Sequence, residues 1–238
     1  TRLTGLYNIR LADHWSVEPA GHTMVMNDLT FDDAARLYVL TGPNGGGKTT
    51  FTQSIGAALV LAHAGLPVPA QSAEFSPIDG VYTHFATEEK FSDDVGRFED
   101  EAQRLSAIFD HVGDRSLVLL NEPLASTGPR EAETIAATVL EALGRAGCHG
   151  VLTTHLHGLA HLVDDINNRI PGVPRPIGTL NAGTVVTDGR VERTFRIDTG
   201  PPTGSSYADD IARRYRLDAE SLRARLNRAG GASDPDVR

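Results

Sequence analysis

The chain has 238 residues, 40% apolar and 22% charged, which suits one large mixed domain with a small appendage and excludes disorder throughout. Its net charge of −9 opposes DNA binding by the chain as a whole, although arginines cluster locally at Arg213, Arg214, Arg216, Arg223, Arg225 and Arg228. A single cysteine, Cys148, excludes an internal disulfide and leads us to expect a cytoplasmic protein; no apolar run approaches the about 18 residues of a membrane span.

In chain order, residues 6–11, 23–27 and 37–40 read as strands joined by turns. The first residue is Thr1, so a piece of a longer protein is expected. A Gly-rich loop and an amphipathic helix follow, with Phe51, Ile55, Ala58, Leu59 and Ala62 at helical spacing. Gly65-Leu66-Pro67-Val68-Pro69 breaks that helix. Residues 81–85 read as a strand, 88–96 as a polar loop and 98–112 as a helix. The apolar run Ser116-Leu117-Val118-Leu119-Leu120 suits a strand buried on both faces, as does Gly150-Val151-Leu152-Thr153-Thr154, with an amphipathic helix over 131–145 between them. This alternation predicts an α/β fold with a mostly parallel core sheet flanked by helices, preceded by an N-terminal β region. Asp188-Gly189 between 184–187 and 190–197 predicts a hairpin. Pro201-Pro202-Thr203-Gly204 reads as a linker to two short helices over 207–215 and 219–228, the second capped by Asp218, and the tail from Gly230 reads as frayed.

The strongest motif is Gly42-Pro43-Asn44-Gly45-Gly46-Gly47-Lys48-Thr49, which fits G-x-x-x-x-G-K-[ST] between a strand and a helix. Glycines let the backbone form a nest of N–H groups for phosphate oxygens, and the helix presents its positive end to the same anion. Lys48 is expected to reach the β- and γ-phosphates and Thr49 to ligate Mg²⁺. Only two lysines occur, Lys48 and Lys90, against twenty arginines, and one of the two stands in this loop.

Three further features fit that chemistry. The strand over 117–120 ends in Asn121-Glu122, some 70 residues after the loop, where a Walker B element belongs. Asn121 stands where Asp is usual, so it can accept a hydrogen bond but adds no charge to a metal. Glu122 is placed to orient or deprotonate an attacking water. His155, after the next core strand, is placed to sense a γ-phosphate; a His155/His157 metal pair is disfavoured, and His157 and His161 read as surface or helix-start residues. Ala125-Ser126-Thr127-Gly128 reads as a loop leading to the next helix, and Gly96-Arg97 after Asp93 and Asp94 as a weak phosphate contact at a helix start. Cys148 reads as structural.

Together these residues resemble the C-terminal ATPase domain of the MutS family of DNA mismatch-repair proteins, an ABC-type ATPase. Thr41-Gly42-Pro43-Asn44-Gly45-Gly46-Gly47-Lys48-Thr49-Thr50 is similar to TGPNxGGKST, Val68-Pro69-Ala70 to VPA, and Ile78-Asp79-Gly80-Val81-Tyr82-Thr83 to ID-IFTR. Phe98 with Glu101 is similar to STF-x-x-E, residues 116–122 to SLVLMDE, Thr154-His155 to ATH, and Ser205-Ser206-Tyr207 to KSYG. The resemblance implies ATP and Mg²⁺ as cofactors, with Lys48, Glu122 and His155 catalytic and Thr49, Asn121 and Glu122 at the metal. It places nucleotide at residues 42–50, Met24 and Asn27, with Gly96 completing the partner subunit's site. It also implies an ATPase domain over 1–200, a dimerising helical segment over 204–228, a flexible tail over 229–238, a homodimer, no membrane, and DNA contacts through upstream domains. The departures define a divergent branch. Gly96 aligns with the family's signature Ser, Asn121 with its Walker B Asp, Leu124-Ala125-Ser126-Thr127 with its Gly-Arg-Gly-Thr loop, and Met24 lies near its adenine-stacking aromatic.

The second reading is a nucleotide-gated interaction module that binds ATP with little hydrolysis, which Asn121 and Gly96 favour. A GTPase would carry N-K-x-D, which does not occur, and a coiled-coil chromosome-maintenance ATPase would need heptads in the about 46 residues from Gly47 to Asp94, where none are found.

Overall fold

A computed structural model describes residues 1–17, 21, 23–85, 96–172, 176–187, 190–201, 215, 217 and 221–223. A six-stranded sheet forms the centre. Its strands are β3 (Leu37–Thr41), β5 (Gly80–His84), β6 (Ser116–Asn121), β7 (His149–Thr153), β8 (Ile177–Thr187) and β9 (Arg190–Thr199), in the order β5-β6-β7-β3-β8-β9. All neighbours are parallel except β8 and β9. A smaller antiparallel sheet holds β1 (Arg2–Leu6), β2 (Asn27–Thr30) and β4 (Ser72–Glu74), in the order β2-β1-β4. The helices are α1 (Ile9–Val17), α2 (Lys48–His63), α3 (Arg97–Phe109), α4 (Pro129–Ala146), α5 (His157–His161) and α6 (Val163–Arg169).

Alternation along the central strands builds two cores, because successive side chains point to opposite faces. Leu37 and Val39 of β3, Val118 and Leu120 of β6, and Leu152 of β7 pack with Leu105 of α3, Leu140 of α4 and Ile166 of α6. Tyr38 and Leu40, Leu117 and Leu119, and Val151 face the other way, onto Phe51, Ile55 and Leu59 of α2, onto Leu3, Leu6 and Leu29 from the small sheet and onto Phe31 just after β2. A strand buried on both faces must read as a continuous apolar run, which is the pattern of β3, β6 and β7.

Most elements fall where the sequence places them; the N-terminus does not. Residues 6–11 are not a strand: β1 ends at Leu6 and α1 begins at Ile9. The physical reason is Asn8, whose side-chain Oδ1 accepts from the N–H groups of Arg10 and Leu11, both at 3.1 Å, and so caps the first turn. The strand expected at 23–27 begins only at Asn27. Strand β4, the part of β8 before residue 184 and helix α6 were not anticipated, and α5 only through the reading of His157 and His161 as surface or helix-start residues. The hairpin tip Asp188-Gly189, most of the loop over 88–96 and nearly all of the two C-terminal helices lie outside the described residues. Among the described residues, no helix is long and apolar enough to cross a membrane.

The sheet order decides where the chemistry sits. Strand β7 lies between β3 and β6, so the carboxyl ends of all three form one rim. That rim carries the Gly-rich loop after Thr41, Asn121-Glu122 after β6, and Thr154-His155 after β7, and the carboxyl end of a parallel sheet is where ligands bind in such folds.

Candidate functional site

The loop after β3 is built from backbone that other residues disfavour. Gly42 has φ 130°, and a Cβ there would stand 2.8 Å from that of Ala182 in β8. Gly45 (φ 70°) and Gly47 (φ 89°) complete the turn into α2. Lys48, 4% exposed, donates from Nζ to the carbonyl oxygens of Gly42 (2.8 Å) and Pro43 (3.1 Å). Burial lowers its ammonium pKa, and the Glu122 carboxylate opposes that shift. A buried lysine folded over its own loop is placed to exchange those carbonyls for phosphate oxygens.

The neighbouring strand ends are tied to this loop. Thr49 donates from Oγ1 to Asn121 Oδ1 at 2.9 Å. Thr52 and Thr153 share a buried hydroxyl–hydroxyl bond of 2.9 Å, which locks α2 onto β7. Glu122 donates its N–H to Thr153 O at 2.8 Å, and Thr154 donates its own to Leu40 O at 3.0 Å. Glu122 and Leu124 both have positive φ, 50° and 66°. For non-glycine residues this costs about 1–3 kcal/mol each and persists where surrounding contacts enforce it, often at functional sites. His155 is exposed just past the rim, and His157 opens α5, as the sequence suggests. Burial, then the charge of Lys48, lowers the His157 imidazole pKa.

A cavity of about 620 Å³ opens beside the loop. Its polar wall includes Gly45, Gly47, Lys48, Thr49, Thr50 and Glu122, and its apolar wall includes Leu6, Leu11, Trp15, Val25 and Phe195. Helix α1 forms part of that wall with Leu11 and Trp15, one turn apart. Asn8, besides capping α1, donates from Nδ2 to Thr50 O at 3.1 Å, so α1 is fastened to the first turn of α2.

Met24 and Asn27 both line this cavity, but Asn27 is engaged elsewhere. Its Nδ2 donates to Phe195 O (3.1 Å) and its Oδ1 accepts from Ile197 N–H (2.8 Å). The pairing of β8 with β9 is irregular here, passing from Ala182↔Ile197 to Thr184↔Arg193, so β9 carries extra residues. Such a bulge re-aims a side chain. Phe195 sits at its centre at φ 57°, with its Cδ1 3.5 Å from where a Cβ on Gly47 would be. Asn27 therefore works as a clamp that holds Phe195 at the cavity. Asn8, Trp15 and Phe195 were missed from sequence; only Asn8 carried a local signal, as a cap directly before an apolar i, i+4 pair.

Gly96 is exposed at the start of α3 and does not line the cavity. Asp93 and Asp94, beside it in sequence, lie outside the described residues. The loop over 124–127 packs on α3 instead. Glu101 accepts hydrogen bonds from Leu124 N–H (2.6 Å), from Ser126 N–H (3.4 Å) and from the Ser126 hydroxyl. His84 Nε2 lies 3.2 Å from the same carboxylate. Burial raises the Glu101 carboxyl pKa, but the bonds from Ser126, Leu124 and His84 outweigh it and hold the group below the usual carboxylate range. Burial lowers the His84 imidazole pKa against the pull of Glu101, so the pair is a neutral imidazole donating to a carboxylate.

A Gly-rich nest between a core strand and a helix, with a buried lysine and a polar strand end two strands away, defines a P-loop nucleotide-binding domain. Residues 38–194, more than half of the chain, match the family model for MutS domain V, and the chain belongs to the MutS family. It is 32% identical over 206 residues to the DNA mismatch repair protein MSH1, mitochondrial, of Arabidopsis thaliana, covering 85% of this chain and 18% of that protein. It is 31% identical over 199 residues to Endonuclease MutS2 of Thermus thermophilus (84% of this chain, 25% of that protein). To the DNA mismatch repair protein MutS of Thermosipho melanesiensis it is 29% identical over 231 residues (94% and 28%). The chain thus spans between 18% and 28% of the length of these relatives.

Proposed function

We propose that this chain binds ATP at the loop over 42–49 and hydrolyses it slowly, as the nucleotide-driven part of a longer DNA-handling protein. The observation that carries this is the fastening of the P-loop to the strand end: Lys48 buried over the loop, and Thr49 Oγ1 2.9 Å from Asn121 Oδ1, one residue before Glu122. Two hard oxygens at one point, beside a carboxylate, fit Mg²⁺, which takes few protein ligands and keeps phosphate oxygens and waters. Bound there with ATP, Mg²⁺ would neutralise charge on the β- and γ-phosphates. The Thr49 hydroxyl donates its hydrogen bond to Asn121 and keeps its lone pairs for the metal; neutral Asn121 makes that site weaker than an Asp would.

Lys48 supplies fixed positive charge at the phosphates. Glu122 orients a water for attack on the γ-phosphorus and takes its proton as the bond to the bridging oxygen breaks, leaving ADP and phosphate. His155 donates to the γ-phosphate from the rim. The base occupies the apolar wall, with Phe195 as its platform in place of an aromatic at Met24. A second copy completes each site through the start of α3 at Gly96, with the segment over 204–228 joining the two subunits about a two-fold axis. DNA is bound by segments upstream of the chain.

The second reading, a module that binds ATP and does not cleave it, is favoured by Asn121 and Gly96. One pair of measurements tests both. Lys48→Ala weakens binding of a fluorescent ATP analogue by about 10- to 100-fold, the worth of a lost charged contact. Glu122→Ala keeps binding and slows cleavage by about 10²-fold or more. Unchanged affinity in Lys48→Ala defeats the site assignment, and binding without any cleavage in the unsubstituted chain selects the second reading.

A further inference from the structure

We propose that Glu101 is a positioning residue for Glu122: it holds the loop after β6 in the one conformation that presents that carboxylate to the P-loop, and it couples the loop to α3. The inference rests on the ATP-cleaving reading above and concerns a side chain that does not line the cavity.

The geometry runs from the strand outward. Asn121 ends β6 with Thr49 bonded to its side chain, and Glu122 follows at φ 50° with its N–H anchored on Thr153 O. Two residues later Leu124 is again at positive φ, 66°. Bulky L-residues leave this region unless something outside the segment holds them. On the strand side the hold is Thr153. On the far side it is Glu101, which receives the Leu124 N–H at 2.6 Å and both the N–H and the hydroxyl of Ser126. Glu122 is thus suspended between two anchors, and only the second is a side chain.

Glu101 is more than filling. It is 6% exposed, and an apolar side chain could occupy the same space without the cost of burying a charge. Instead its carboxylate gathers donors from two other places: the loop, and His84 at the end of β5, itself 4% exposed. Glu101 lies early in α3, the helix that starts at Gly96. A displacement of α3 by anything docking at its start would therefore pull directly on Leu124 and Ser126, and through them on Glu122. The arrangement gives α3 a mechanical route to the catalytic carboxylate that does not pass through the nucleotide.

The test uses the full chain and two readouts, affinity for a fluorescent ATP analogue and single-turnover cleavage of bound ATP. Glu101→Gln places an NH₂ group where the loop's donors point. We expect affinity within about twofold and cleavage at least about tenfold slower, the effect of losing a charge-assisted contact felt only in the reaction. Ser126→Ala, which leaves the backbone bonds intact, slows cleavage less and serves where Glu101→Gln does not fold. His84→Gln retains an N–H donor and keeps the rate, whereas His84→Leu lowers it. Wild-type cleavage in both Glu101→Gln and Ser126→Ala overturns the proposal. Affinity and cleavage falling together overturn it too, since that is the mark of a merely structural residue. If the unsubstituted chain binds ATP and never cleaves it, the inference fails while the nucleotide site stands; if it does not bind ATP, the site reading itself has failed.

Discussion

At the scale of single residues, Asn121 is the most telling position. It is 7% exposed, and its Oδ1 accepts from Thr49, so it stands beside the P-loop at the end of β6, in the place proposed for the metal, without a charge of its own. Asn121→Asp changes the charge and hardly the shape. We expect the Mg²⁺ concentration for half-maximal turnover to fall by about tenfold, because charge-assisted contacts are roughly twice as strong as neutral ones. Turnover is expected to hold or rise; a magnesium titration of both proteins measures it, and a substituted chain with an unchanged titration removes Asn121 from the metal site. Cys148 behaves as the sequence suggests for a structural thiol: it is 1% exposed, and burial pushes its pKa up to about 12, so it stays protonated and inert.

At the scale of elements, α1 is the part of the site that sequence reading missed. It has no fully buried residue; Asn8 caps it and fastens it to Thr50. Such a cap is worth about 1 kcal/mol, so Asn8→Ala should fray α1 and lower ATP affinity by up to about fivefold. Amide exchange over residues 9–17 with and without nucleotide checks this: exchange equal to that of the unsubstituted chain would mean α1 is held by its packing alone. The central strands were legible because burial on both faces leaves only apolar residues along 37–40 and 117–120, and the P-loop was legible because phosphate geometry demands those glycines. The apolar half of the cavity was not. Leu11, Trp15 and Phe195 come from elements far apart in sequence, and Phe195 reaches the cavity only through a bulge in β9 that its own residues do not announce. Glu101 was visible as a motif residue, but its hydrogen bonds depend on the fold of a loop more than twenty residues away.

At the scale of the whole molecule, three imidazoles, those of His84, His149 and His157, make the fold sensitive to mild acid. Burial lowers the His84 pKa below its ordinary 6.5 despite the Glu101 carboxylate. Burial, with the positive charge of Arg36 adding to it, lowers that of His149, which packs against Phe31 with ring centroids 5.3 Å apart. In the unfolded chain each of the three takes up a proton near pH 6.5, whereas the folded chain resists it. Between those values the unfolded state binds more protons, so stability rises with pH. The contribution is therefore fully present above about pH 6.5 and is lost as pH falls through the lower folded values. Glu101, held below its ordinary 4.5, adds a second loss that begins only under that pH, because its folded form keeps the charge that the unfolded chain gives up. We expect the urea midpoint to be flat from pH 8 to 7, to decline as pH falls below about 6.5, and to decline more steeply below 4.5. His84→Gln should make the first decline shallower, since it removes one of the three imidazoles and keeps a donor to Glu101. A midpoint that holds level from pH 7 to 5, or a His84→Gln chain that follows the unsubstituted curve, would mean that these imidazoles do not set the response to acid.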